Sequence, residues 1–314
     1  MSSAKRTKCA RVVARRRLGA LRDNRVLKRT LRRYENAVRL FFAWMAACVG
    51  QMPERAGSLD AVLADYAEVL WEEGESRSLL GDTLSGLSHF IKMLKGRLPD
   101  SWRQHDVWNK LEPAKRATPL TLPILLSLVG VALAWEDHAI AAGMLVAFQG
   151  LLRTGELLGL VKADFSFDLK KGQVVINLGQ TKGGKRRNES EEVLVRDRTL
   201  TALLFLILEK KRPGDRLMPA EKVFRARFAE YLQYLQLHGL NFKPYSLRRG
   251  GATHLFYESG SMETVRVRGR WQNFRTAKQY VEECRVATTE MALTTLQRQK
   301  IERWKKHAVD FLVG

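Results

Sequence analysis

Two apolar runs constrain this chain more than any other feature. Leu120 to Trp135 and Ala139 to Leu152 carry no charged residue, and only Glu136-Asp137-His138 separates them. Each falls short of the roughly 20 residues that a helix needs to cross a bilayer. The pair therefore predicts two helices buried at the centre of a folded domain. A helix that is apolar on every side must be covered on every side, so the rest of the chain has to supply amphipathic partners.

It does so on both flanks. From about Leu31, residues Tyr34, Val38, Phe41, Phe42 and Met45 recur at three- and four-residue spacing, the mark of an amphipathic helix. Leu59 to Trp71 predicts a second helix, with Ser58 at its start. Ser78 to Leu94 predicts a third, and Trp102, His105, Trp108 and Leu111 mark a shorter fourth. Downstream, Leu200 to Lys211 and Glu221 to His238 have the same character, with Gly239 beyond the end of the second. Three short β-like runs, Phe165 to Phe167, Gln173 to Leu178 and Glu192 to Val195, point to a small antiparallel sheet. The expected fold class is mainly α (α+β).

The proline-flanked stretch around residues 113–120 reads as a linker. It divides a helical domain (31–112) from a second, mostly helical domain that carries the sheet (121–284). A C-terminal helix or tail (285–314) follows. Its Val286, Met291, Leu293, Leu296, Ile301 and Trp304 are too many apolar groups for a free end.

Charge narrows the choice of partner. The 314 residues carry a formal +21, which calls for a polyanion, nucleic acid first and an acidic membrane surface second. No lipid-seeking amphipathic stretch stands out. Residues 1–33 alone hold 13 Lys or Arg against one acid, Asp23, and residues 1–30 read as a basic flexible arm suited to DNA phosphates. Three scattered cysteines form no CxxC pair and six histidines have no metal-ligand spacing, so no structural zinc is expected.

Two blocks carry chemistry. In Gly150-Leu151-Leu152-Arg153-Thr154-Gly155-Glu156, charge sits inside an apolar run and must find a partner or a ligand. An Arg153–Glu156 helix pair would satisfy it locally. Lys243 to Tyr280 contains Tyr245-Ser246-Leu247-Arg248-Arg249-Gly250-Gly251, with Ser246 as a possible N-cap. Arg266-Val267-Arg268-Gly269-Arg270-Trp271 comes next, and Tyr280 lies nine residues after Trp271. An arginine fork fits a phosphate bidentately, and a tyrosine hydroxyl can serve as a covalent nucleophile. Arg248 and Arg249, adjacent on a helix, cannot face the same way, so Arg249 is expected to reach a second phosphate.

These residues resemble the active site of the tyrosine recombinase (phage integrase) family. There, an Arg-x-x-Glu-Leu box is followed by a lysine in a β-hairpin, His-x-x-Arg, His or Trp, and the nucleophilic Tyr about nine residues on. Arg153, Lys182, Tyr245, Arg248, Trp271 and Tyr280 match in order, and Arg153 lies 95 residues before Arg248. The resemblance implies a site-specific recombinase that cuts and rejoins DNA through a 3′-phosphotyrosyl ester. Arg153 and Arg248 would clamp the phosphate, Glu156 would buttress Arg153, Lys182 (with Lys185 in reserve) would act as general acid, and Tyr280 would attack. Lys185, Arg186, Arg187, Arg249, Arg268 and Arg270 become candidate DNA contacts.

The resemblance further implies no metal and no cofactor, an intracellular, DNA-associated setting, and a homotetramer on paired double-stranded sites. The 285–314 segment would then dock on a neighbouring subunit, the alternative being that it folds back on its own domain. One position departs from the family pattern: Tyr245 stands where the family has His. A phenol, with an ordinary pKa of about 10, is a poor proton shuttle near neutrality. Two other functions fit the same residues: a catalytically silent DNA-binding descendant and a type IB topoisomerase-like relaxing enzyme.

Overall fold

The computed structural model describes residues 3–18, 20, 25–179 and 190–313. The chain divides into two units, Met1–Lys115 and Arg116–Gly314. Among the described residues no helix is long and apolar enough to cross a membrane.

The first unit contains α1 (Ser3–Leu18), α2 (Lys28–Cys48), α3 (Ala56–Glu72), α4 (Arg77–Phe90) and α5 (Pro99–Leu111). The basic arm is thus helical over α1, where Ala, Arg, Lys and Leu all favour helix and neither Gly nor Pro interrupts them. In α2, Ala37, Val38, Phe41 and Met45 turn one stripe inward, against Leu63 and Tyr66 of α3 and Leu80, Leu84 and Leu87 of α4. Asp60, buried on α3, accepts the backbone N–H groups of Asp100 (2.9 Å) and Ser101 (3.0 Å). The carboxylate thereby satisfies donors that the first turn of α5 leaves unpaired. An Arg33–Asp82 fork (2.7 and 2.8 Å) ties α2 to α4 at the surface.

The second unit is built on the two apolar runs. They form α6 (Leu122–Ala134), capped by the Thr121 hydroxyl, and α7 (His138–Gln149). Nine residues of each are buried. Short α8 (Thr154–Gly159) follows, then strands β1 (Phe165–Asp168), β2 (Gln173–Asn177) and β3 (Glu192–Arg196). The sheet is antiparallel in the order β1-β2-β3, with Phe165 opposite Ile176 and Val175 opposite Leu194. Val174, Ile176, Val193 and Val195 face the core, as period-two alternation requires.

Helices α9 (Arg198–Glu209), α10 (Glu221–Tyr234), α11 (Ser246–Ser259), α12 (Met262–Arg268), α13 (Phe274–Lys278), α14 (Glu283–Met291) and α15 (Thr295–Val313) complete the unit. The architecture is mainly α with one small sheet.

Two expectations change. Residues 116–120 are not a free linker, because they run along the second unit. Thr118 N–H donates to Asn241 O (3.3 Å), Leu120 N–H to Ser246 O (3.2 Å), and Asn241 Nδ2 to Arg116 O (3.0 Å). Ser246 is the first helical residue of α11 rather than its cap, and its hydroxyl accepts the Lys243 N–H at 3.0 Å. Helix α15 packs against α6 of its own unit. The two backbones meet at Gly130, where a Cβ would lie only 2.1 Å from the Trp304 carbonyl oxygen. Only glycine permits that approach.

Candidate active site

The geometry starts from Arg248-Arg249-Gly250-Gly251. A Cβ at Gly251 would fall 2.1 Å from the Phe148 carbonyl oxygen, so glycine lets α11 lie directly on the end of α7. Arg248, one turn earlier, is thereby driven into the turn that follows α7. Its guanidinium is fully buried; Nη1 donates to the Leu151 carbonyl and Nη2 to that of Gly269 at 2.7 Å. Its Nε has no hydrogen-bond partner in the described structure.

Arg153 stands at the start of α8, and Glu156 reaches back one turn to accept the Arg153 N–H at 2.9 Å and the Arg153 guanidinium. The local pair exists, yet Glu156 does more. Its Oε2 also receives Arg270 Nη2 at 2.9 Å and lies 3.8 Å from Arg248 Nη1. One carboxylate thus serves three arginines.

Trp271 is buried, with the Arg248 guanidinium carbon 4.7 Å from its ring centroid, a cation–π distance. Tyr280 follows the end of α13 by two residues. Its ring lies 4.4 Å from that of Trp271 and 5.5 Å from the Arg248 guanidinium carbon. The Tyr280 hydroxyl is hydrogen-bonded to that of Tyr245. Arg153, Glu156, Tyr245, Arg248, Trp271 and Tyr280, drawn from three separate stretches of sequence, therefore converge.

Burial sets the electrostatics. Desolvation, reinforced by Arg270 and Arg153, pushes Arg248 down to about 10. For Glu156, burial works to raise the pKa. The Arg270 charge, the Arg153 N–H and the Arg153 and Arg248 charges outweigh it, holding the carboxyl below its ordinary value. Burial and then the bond to Tyr280 raise the Tyr245 phenol well above its ordinary range.

Other predicted residues go elsewhere. Arg249 does not face solvent as a DNA contact would: it is buried, donates to Gln279 O (3.1 Å) and pairs with Glu282 at 2.5 Å. Turning away from Arg248 takes it to the chain around Tyr280 rather than to solvent. Arg270 is turned inward as well. Its side chain is 8 % exposed and pairs with Glu156 and with Glu191 (3.2 Å). Arg268 is exposed, on the rim of a cavity of about 510 Å³ lined by Leu125, Phe148, His254 and Leu312 among others. Lys182, Lys185, Arg186 and Arg187 lie outside the described residues.

Two features had no signal in the sequence. Thr253 Oγ1 donates to the Tyr280 carbonyl (3.1 Å) and accepts the Glu282 N–H (3.2 Å), fixing the backbone around that residue. Leu151 and Arg270 adopt φ of +48° and +59°, a left-handed conformation that costs a non-glycine residue roughly 1–2 kcal/mol. Such strain gathers at functional sites because the surrounding contacts must hold it in place.

No protein-family model matches the chain, and neither does any curated protein. Solved structures do. The Tn1549 transposon integrase in complex with circular intermediate DNA superposes with a TM-score of 0.60 at 15 % identity, over 86 % of this chain and 96 % of that one. The XerH site-specific recombinase bound to its difH substrate gives 0.57 at 16 % identity, over 82 % and 79 % of the two chains. A lambda integrase dimer bound to a core site gives 0.54 at 16 %, over 82 % and 73 %. These similarities, together with a helical unit holding one small antiparallel sheet, establish that the chain has the fold of the tyrosine recombinases.

Proposed function

We propose that this chain is a site-specific DNA recombinase that breaks and rejoins strands through Tyr280. One observation carries the proposal: Arg153, Arg248, Trp271 and Tyr280 are brought together with Glu156 between the two arginines. DNA as the partner is supported by the +21 charge and by structural neighbours that were solved on DNA.

The Tyr280 phenolic oxygen attacks the scissile phosphorus in line as its proton passes to solvent water. The bond to the 5′ oxygen breaks, leaving a 3′-phosphotyrosyl ester and a 5′-hydroxyl. Arg153 and Arg248 stabilise the charge that builds on the non-bridging oxygens, and Lys182 supplies the proton to the leaving oxygen. Tyr245 is held protonated, so it orients Tyr280 by a hydrogen bond and does not take its proton. Arg248 lies beneath the Tyr280 and Trp271 rings. A phosphate reaches it when the Tyr280 ring swings aside and the arginine exchanges carbonyl acceptors for phosphate oxygens. No metal or cofactor is required by this scheme, since the ester conserves the bond energy for rejoining. Assembly is proposed as a homotetramer on paired sites.

The test is a suicide duplex nicked near the scissile phosphate. A protein–DNA adduct that survives denaturation is expected. Tight DNA binding without an adduct would favour a silent DNA-binding protein, and relaxation of supercoils by monomers would favour a topoisomerase.

A further inference from the structure

The Arg270 guanidinium joins three segments that are distant in sequence. Nε lies 3.2 Å from Glu191 Oε2, beside the foot of β3, and Nη2 lies 2.9 Å from Glu156 Oε2. Nη1 donates to the Gly150 carbonyl (3.1 Å) and Nη2 to that of Leu151 (3.2 Å). The Leu151 oxygen is the same atom that receives Arg248, and Glu156 is the counter-ion of Arg153. A single side chain thus holds both groups against which Arg153 and Arg248 are set. It also fixes its own neighbour, Trp271, relative to them.

Backbone geometry gives no reason for an arginine at this position. Residue 270 has φ +59°, a conformation that glycine adopts without strain and arginine does not. Only the planar fork, with its five donors, can serve two carboxylates and two carbonyls together.

We infer that Arg270 is a third arginine of the strand-cleavage machinery, a positioning residue. It stays off the DNA and sets Arg153 and Arg248 through Glu156 and the Leu151 carbonyl, tying both to β3 and to Trp271. The inference rests on the phosphoryl-transfer function proposed above.

The full-length protein carrying Arg270→Gly or Arg270→Lys tests it on the nicked suicide duplex. Glycine suits the backbone and removes the fork, whereas lysine keeps the charge as a single point. DNA affinity and its salt dependence should stay within about twofold of wild type. Single-turnover cleavage of the bound complex should fall about 100-fold in Arg270→Gly, the scale of loss when reacting groups are misplaced by about 1 Å. Arg270→Lys should fall in between. Wild-type cleavage by either variant overturns the inference. So does a loss of affinity with cleavage of the bound complex unchanged, which would put Arg270 on the DNA.

Amide hydrogen exchange keeps this result separate from the proposed chemistry. Should the wild type form no adduct, the phosphoryl-transfer function fails on its own account. Faster exchange of Arg270→Gly at 150–156 and 191–196, as well as in its own loop, would still support the clamp. Changes confined to 266–272 would refute it.

Discussion

Tyr245 and Tyr280 share a hydrogen bond between their hydroxyls across 35 positions of chain. The Tyr245 phenol is pushed above its ordinary pKa, first by burial and then by that bond. It therefore keeps its proton throughout the neutral range and cannot serve as a base there. Replacing it by histidine puts a group with an ordinary pKa of about 6.5 at the same place. Cleavage by Tyr245→His should be about tenfold faster or more near pH 8, and the gain should disappear as the pH drops below about 6. A pH–rate profile identical to that of wild type would mean that the proton of Tyr280 leaves by another route.

Removal of one oxygen tests the nucleophile. Tyr280→Phe retains the ring against Trp271 and Arg248, so stability and DNA affinity should change little while the covalent adduct vanishes. An adduct formed by this variant, located by mass spectrometry, would assign the chemistry to another residue.

Arg248→Lys preserves charge and loses the fork. Two carbonyls, those of Leu151 and Gly269, then compete for one ammonium group. Cleavage should fall about 10²- to 10³-fold, and stability should drop by about 1–3 kcal/mol, because a buried charge-assisted hydrogen bond is lost, although the Leu151 carbonyl keeps Arg270. Urea unfolding measured beside single-turnover cleavage separates the two effects. A wild-type cleavage rate would remove Arg248 from the mechanism.

Glu156 makes stability depend on acid. Its folded pKa is held below the ordinary value of 4.5. The stabilisation it confers is therefore complete above 4.5 and is lost as the pH falls through the lower folded value. Glu156→Gln removes the counter-ion of buried arginines and should cost about 3 kcal/mol at pH 7. The gap between wild type and variant should narrow as the pH falls below about 4.5. Urea midpoints across that range measure it, and a constant gap would show that the carboxylate charge does not matter.

The N-terminal arm should act through salt. Its 13 basic residues within 1–33 would release counterions from DNA without regard to sequence. Deleting residues 1–33 should make the slope of log K against log salt shallower and leave the preference for a cognate site intact. An equal slope would mean that the arm does not touch the DNA.

Much of the fold could be read from sequence because burial leaves a periodic trace. The runs that became α6 and α7 are apolar on every side, and Val174, Ile176, Val193 and Val195 alternate as strands must. Arg153, Arg248, Trp271 and Tyr280 were found through motif spacing. What sequence concealed was the destination of the other arginines. Arg249 and Arg270 lie in a basic stretch and looked like solvent-facing charge, yet each is buried against a carboxylate. For Arg270 one of these is Glu191, 79 residues away. No local pattern records a partner that distant, and none records a left-handed arginine. Gly130 was equally mute: inside an apolar run, nothing marks it as the contact that seats α15.

The backbone around Tyr280 is stapled to the helix that carries Arg248. Arg249 holds the Gln279 carbonyl and Glu282, while Thr253 holds the Tyr280 carbonyl and the Glu282 N–H. Arg248, Arg249 and Thr253 all belong to α11. Lending this tyrosine to another molecule would mean tearing out every one of those fastenings, whereas turning its ring within its own pocket breaks none of them. Tyr280 and Arg248 therefore travel as one piece, and under the proposed function a strand cut by Tyr280 would be cut under the Arg248 of the same polypeptide.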